Sequence, residues 1–478
     1  MQGARWTAPA LLALTVAGVA PSAHAFRFDL GGIQAAWENR VVLGATMRLD
    51  ERNDRLIGKL NVNPDLCPDD CISFSGNPAP NQRLVDAPGA FLGANFDNGN
   101  LNYDQYDLTA AQLRLESELK GSWGKVDFKI SGVGFYDAVN YDFDAFHPDT
   151  ALQPRHTPRP DNIEAQVGLN FHLLEAFVSV PFDVFDQKFY LSVGEQRIRW
   201  GQSTFVALGS LDVINPPDQN RLRFPGAQIA SVFEPVGLVV LTTRLSANLQ
   251  AEMLYQYHWQ PVTPSASGSF FSVNDIAGGG EYAVISLGQF SEDSPPYGIG
   301  FKGATPRLIT STPTSVPVDH FSGQPDDGGT YGLRLNYYAA HLNGGTNLGF
   351  YALNYSSRLP YASAYATDKS CLRDIPPILS PPDLGPLQGL VDAINDVPGL
   401  PSLSANGVGA LLACTGFNGT LNPTGLGEEP LPIDTLDLFL EYPEDIHMFG
   451  IAFTTNMGHW SLAGEYVYHP NLPLQVSL

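Results

Sequence analysis

Asn215-Pro216-Pro217-Asp218, followed by Arg221 and Arg223, is the part of this sequence best suited to act on another molecule. It lies within Trp200 to Gly226, a stretch without a long period-two run, so a loop is expected there and not a strand. Folded into a pore, such a loop would place two guanidinium groups where they narrow the passage or hold an anionic head group. The structural alternative is a loop whose Pro and Gly only set its path. A second set of charges recurs at every other position: Arg114, Glu116, Glu118 and Lys120, with Glu252 and Arg334 further along. Side chains at that spacing share one face of a strand, where they can pair with one another and keep a channel interior hydrated.

Other chemistry is sparser. Asp142, Asp144 and Asp149 beside His147 resemble a loose calcium site, but their spacing fits no defined loop, and solvated acids bridged to lipopolysaccharide by divalent ions are the preferred reading. Cys67 and Cys71 sit four apart, and Cys371 and Cys414 flank a second loop-like region. In an exported chain the pairs Cys67–Cys71 and Cys371–Cys414 would each close one loop, although four cysteines allow three connectivities. A metal at Cys67 and Cys71 lacks a nearby second Cys/His pair. No nucleophile elbow, zinc-protease helix, phosphate loop or dinucleotide fingerprint is found, so neither catalytic residues nor a cofactor or metal are assigned. Ile375 to Leu412 is rich in Pro, Leu and Gly. There Leu387, Leu390, Val391, Ile394 and Val397 share a face of a short predicted helix, either a docking site for a hydrophobic substrate or packing against other loops.

The composition limits what can carry these residues. The 478-residue chain holds 26 Lys and Arg against 49 Asp and Glu, a net charge of −23, which excludes the basic footprint of a nucleic-acid binder. Its 44% hydrophobic content excludes a disordered polymer, and its 47 Gly and 38 Pro exclude a long helical bundle. Arg5, the apolar run Leu11 to Ala20 and the small-x-small Ala23-His24-Ala25 read as a secretory signal over residues 1–25. No later stretch approaches the ~18 uninterrupted apolar residues of a membrane helix, so membrane residence would have to be by strands.

Residues 26–478 alternate as strands do. Leu113, Leu115 and Leu119 point one way, and Gln112, Arg114, Glu116, Glu118 and Lys120 point the other. Val126, Phe128 and Ile130 repeat the pattern after a turn, as do Leu249 to Trp259, Tyr331 to Tyr337 and Met448 to Thr455. Short turns near 121, 184, 247, 344 and 457 alternate with long stretches near 51–107, 138–164, 201–235, 261–329 and 357–444. That alternation predicts an all-β transmembrane antiparallel barrel with short periplasmic turns and long external loops, the apolar face toward lipid and the charged face toward the lumen. About eleven strands are counted, beginning at Val41, whereas bacterial barrels usually have an even number. The chain is therefore expected to be C-terminally incomplete.

Several stretches resemble a family of Gram-negative outer-membrane proteins catalogued only as a domain of unknown function (thirteen-oh-two). They are Gly44 to Asn61, Asn98 to Leu119, Ser192 to Gly226, Tyr255 to Gln260, Phe271 to Gly280 and Gly464 to Ser477. The likeness is most specific at Trp200-Gly201 and at Ile214-Asn215-Pro216. The resemblance implies a porin-like or fatty-acid-transporter-like barrel, working beside a periplasmic carrier protein and an RND-type inner-membrane exporter. It supplies no catalytic residues.

The reading is thus a non-enzymatic outer-membrane channel or transporter that passes small hydrophobic or amphipathic molecules through a loop-gated lumen. Two alternatives stay open: a non-conducting outer-membrane anchor of a trans-envelope export assembly, and an outer-membrane hydrolase.

Overall fold

The computed structural model describes residues 26–63, 86–89, 95, 98–146, 156–201, 210–274, 276–284, 300–302, 305–307, 315–365 and 437–474. The signal segment, all four cysteines, His147, Asp149 and the helix expected within 375–412 lie outside these residues.

Twelve strands form one antiparallel sheet in which every strand pairs with its sequence neighbours in the sheet. They are β1 (Phe26–Leu30), β2 (Ile33–Met47), β3 (Leu108–Trp123), β4 (Val126–Asp137), β5 (Leu169–Val184), β6 (Gln187–Gln196), β7 (Val236–Ser246), β8 (Leu249–His258), β9 (Tyr331–Ala339), β10 (Thr346–Tyr355), β11 (Ile446–Met457) and β12 (Trp460–Tyr468). The expected count of eleven is corrected to twelve. The strand missed is β1, five residues behind the Gly31-Gly32 turn, too short to show a period. β2 also starts at Ile33, ahead of Val41, because Asn39 interrupts the apolar alternation.

A meander of this order has a fixed polarity. The connections β1–β2, β3–β4, β5–β6, β7–β8, β9–β10 and β11–β12 are short and leave from one end, while 48–107, 138–168, 197–235, 259–330 and 356–445 all leave from the other. Phe185 and Asp186, both with positive φ, form the two-residue turn between β5 and β6. That backbone matches the right-handed strand twist of a hairpin. Within the long connections, Tyr282–Val284, Ser315–Gly323, Asp437–Glu441 and Tyr361–Tyr365 build a separate four-stranded sheet.

The two faces of the large sheet differ sharply. One exposes Val41, Leu43, Leu113, Leu115, Phe171, Met253, Tyr255, Phe350, Phe449, Ile451 and Tyr466, with Leu43 at 75% and Phe171 at 70% exposure. Registers place these in rows that cross strands: Leu43 opposite Leu113, then Tyr136, and Phe350 opposite Ile451, then Tyr466. The other face carries the charges on β2 to β5. Its counterpart on β7 to β11 keeps Glu252 and Arg334 but is largely apolar, with Leu238, Val240, Leu254, Leu353 and Met448 buried. The expectation of a uniformly polar second face does not hold there, because a covering segment shields those strands from water. Among the described residues no helix is long and apolar enough to cross a membrane.

Candidate functional site

The covering segment is the connection between β6 and β7. Its first half packs Trp200, Leu211, Val213 and Ile214 into one core with Val236, Leu238, Leu254, Tyr351, Leu353 and Met448, all on the charge-bearing face. The sheet is shaped to receive it. Gly332 leaves room for the Trp200 ring, since a Cβ there would stand 2.8 Å from Trp200 Cη2. Gly450 does the same for Leu211, whose Cδ2 would lie 2.2 Å from a Cβ. Trp200 also donates its indole N–H to Glu252 Oε1 at 2.7 Å and packs on Tyr351. Burying a ring of this size is a large part of what holds the segment down, since truncating a buried Trp costs ~3–5 kcal/mol.

Asn215, buried at 1% exposure, explains why an amide stands before Pro216. Its Oδ1 accepts from Ile198 N at 2.7 Å, and its Nδ2 donates to Gln196 O at 3.1 Å and to Glu234 O at 2.8 Å. One side chain therefore closes the base of the loop, with Pro216 O accepting from Glu234 N beside it. Gly201 has φ +88 and faces Leu211 and Glu465 so closely that a Cβ would meet both. Replacing Asn215 by Leu leaves three backbone groups without their partner and is expected to cost about 3 kcal/mol. Gly201→Ala is expected to cost ~1–3 kcal/mol through strain at positive φ. Urea unfolding of the full chain in detergent, followed by tryptophan fluorescence, measures both.

The second half reaches across the sheet. Phe224 packs on Phe135 of β4 at 4.8 Å between ring centroids, and Pro225 fills the space above Gly44 of β2. Gly226 O accepts from Arg114 Nη2 at 2.9 Å and from Arg40 Nη2 at 3.1 Å. One segment thus touches β2, β3 and β4 at one end and β11 and β12 at the other.

The charge ladder lies beside that contact. Glu116 bridges Arg40 at 3.3 Å and Arg114 at 3.1 Å. Lys120 reaches Glu118 at 3.1 Å and Glu38 at 3.5 Å, and Lys129 joins Glu118 to Glu175, which also takes Arg197 at 2.8 Å. Further round the sheet, Arg334 stands 3.8 Å from Glu252. Near the short-turn end the same face opens into a recess of about 720 Å³ lined by Arg27, Asp29, Gln34, Lys120, Ser122 and Asp127.

The two arginines of the segment have different surroundings. Arg221 is 3% exposed and paired with Asp218 at 3.1 Å and with Glu234. Burial pushes both carboxyls above the usual range against the pull of that guanidinium. Asp218 also caps the short helix Gln219–Arg223 by accepting from Asn220 N and Arg221 N. Arg221 is therefore a strut inside the segment. Arg223 is exposed, with its guanidinium 4.8 Å from the Phe271 ring centroid.

Sequence reasoning missed two buried arginines that tie the long connections together. Arg358 donates to Val213 O, Gln260 O and Gln256 Oε1 at 3.4, 3.0 and 2.6 Å. Burial pulls its guanidinium down to about 9. Arg159 donates to Asn140 Oδ1, Tyr103 OH and Gly268 O at 2.8, 2.9 and 3.0 Å and lies over Phe143. Arg358 links connections 197–235, 259–330 and 356–445, and Arg159 links 48–107, 138–168 and 259–330. No local pattern marks Arg358, because its partners stand 145, 98 and 102 positions away. Asp142 and Asp144 gather no metal-binding cluster among the described residues.

This architecture defines a large antiparallel meander whose charge-bearing face is crossed by one of its own connections. The chain belongs to the family described as "Protein of unknown function (DUF1302)", whose match covers residues 6–478. No match to it exists among curated proteins or among solved structures.

Proposed function

We propose that the sheet closes into a barrel in the bacterial outer membrane and that its lumen passes small hydrophobic or amphipathic molecules, with residues 210–235 as the internal restriction. The observation carrying this reading is the reach of that segment. Neighbouring strands lie ~4.8 Å apart, so β2 and β12, ten strands apart, would be separated by about 48 Å on a flat sheet. A single packed segment touching both ends favours a sheet curled around it. The exposed apolar rows support a lipid-facing exterior, because so large a greasy surface is unfavourable in water. Strand length agrees: β2 to β12 run from 9 to 16 residues, and a spanning strand needs ~9–11. Ion pairs along the other face suit a hydrated lumen.

The full chain, purified in detergent and added to planar bilayers, is expected to give discrete conductance steps. A chain that stays soluble without detergent and gives no steps overturns the proposal. The two arginine hubs and the filled interior favour one alternative, a largely closed barrel that anchors a periplasmic carrier and an RND-type exporter. Silence in the bilayer combined with co-purification of such an exporter supports that alternative.

A further inference from the structure

We infer that Arg223 and Phe271 form the head-group end of a site for a single-chain anionic amphiphile, such as a long-chain carboxylate. This rests on the transport reading and names its class of substrate. The cations of the ladder and of the segment's interior face carboxylates, and Arg221 a few ångströms of chain away is paired twice. Arg223 differs: among the described residues no carboxylate lies within ion-pair distance of it, and it is exposed in a chain whose net charge is −23. A guanidinium without an acid presents its N–H fork to an incoming carboxylate or sulfate, which it binds in bidentate fashion.

The surroundings choose an amphiphile over a small ion. The guanidinium rests on Phe271, itself 40% exposed, and the neighbouring side chain on the helix is Leu222, exposed at 49%. Val273, two residues beyond Phe271, is exposed at 72%. A guanidinium lying on a half-exposed ring presents a cation and an apolar surface side by side, the complement of an amphiphile's head group and upper tail. The platform is also held in place before any ligand arrives. Phe271 meets Phe270 edge-on at 5.0 Å, Phe270 meets Tyr103 edge-on at 5.8 Å, and Tyr103 is locked to Arg159 and Asn140. A preformed aromatic floor under the cation spares a ligand the cost of ordering it.

The test uses the full chain in phosphatidylcholine nanodiscs and displacement of a fluorescent undecanoate probe. Dodecanoate is expected to displace the probe far better than dodecanol, dodecyltrimethylammonium or inorganic phosphate. Arg223→Gln is expected to weaken dodecanoate about tenfold while leaving dodecanol unchanged, the weight of one charge-assisted contact. Arg223→Lys recovers part of the head-group preference, and Phe271→Ala weakens dodecanoate and dodecanol alike. Dodecanoate affinity that ignores Arg223→Gln overturns the site, as does phosphate competing as well as dodecanoate. Probe loss on doping the disc with phosphatidylglycerol also overturns it, by assigning the cation to bilayer lipid. Conductance of the same proteins in planar bilayers separates the two ideas: conducting protein with Arg223-independent binding sinks only the site, whereas Arg223-dependent binding without conductance upholds the site and sinks the transport reading.

Discussion

Gly44→Val is expected to lift the tip of the internal segment off the sheet and raise single-channel conductance. A Cβ at position 44 would stand 2.4 Å from Pro225 Cβ, so a branched side chain there cannot coexist with the docked tip. The change leaves every charge in place, which separates the steric effect from the electrostatic one. Arg40→Met combined with Arg114→Met attacks the same contact from the other side by removing both donors to Gly226 O. Two charge-assisted hydrogen bonds at ~1.5 kcal/mol each shift the docked-to-undocked ratio by about two orders of magnitude. Glu116→Gln is the control, since it removes the carboxylate between the two arginines while leaving their bonds to Gly226 available. Hydrogen exchange at Phe224, Gly226 and Ala227 should accelerate in the first two variants and change little in the third. If exchange accelerates while conductance stays at the wild-type level, the tip is not what restricts the passage.

The second large effect is expected at Arg358. Arg358→Met keeps most of the side-chain volume but abandons Val213 O, Gln260 O and Gln256 Oε1 in a fully buried place. Stranding these acceptors costs about 3–5 kcal/mol. Because Val213 and Gln260 belong to two other connections and Gln256 to β8, the damage should spread beyond the 356–445 stretch. The expected results are a lower unfolding midpoint in urea and new proteolytic nicks in 197–235 and 259–330. Arg358→Lys should recover only a fraction, since an ammonium cannot span three acceptors arranged for a planar fork. An Arg358→Met protein with an unchanged midpoint and no new nicks would show that the connections are held by other contacts.

The two variants differ in what they disturb, and this difference reflects how the segment is built. At its base, Asn215, Trp200 and Leu211 are held by buried contacts distributed over several strands. At its tip, Gly226 hangs on two arginines and Pro225 on a glycine pit. Fewer contacts hold the tip than the base, so the tip is where a single substitution is expected to free the segment first.

Much of this was legible in the residues alone. Strict alternation in β3, with leucines against Arg114, Glu116 and Glu118, follows from the two-residue period of a strand and needs no tertiary information. The pairing of Glu116 with Arg40 and of Glu118 with Lys129 follows once the strands are neighbours. The Pro-rich Asn215-Pro216-Pro217-Asp218 stretch identified a loop of consequence because it breaks the period. β1 holds too little pattern in five residues to read as a strand, and a period of two does not predict that Leu238, Leu254, Leu353 and Met448 make the lumen-side face apolar where another segment covers it.

What the sequence determined by itself was local and periodic: strands, hairpins, the order of short and long connections, and a polar and an apolar side. Only the tertiary structure decided that Trp200 enters the space above Gly332, that Arg221 is spent on Asp218 and Glu234 while Arg223 stays open, and that Arg159 and Arg358 join the long connections. The reason is physical. A period of two is written in adjacent residues, whereas a hub like Arg358 exists only when oxygens 98 to 145 positions away in the chain converge on its guanidinium, and nothing in its own neighbourhood records that convergence.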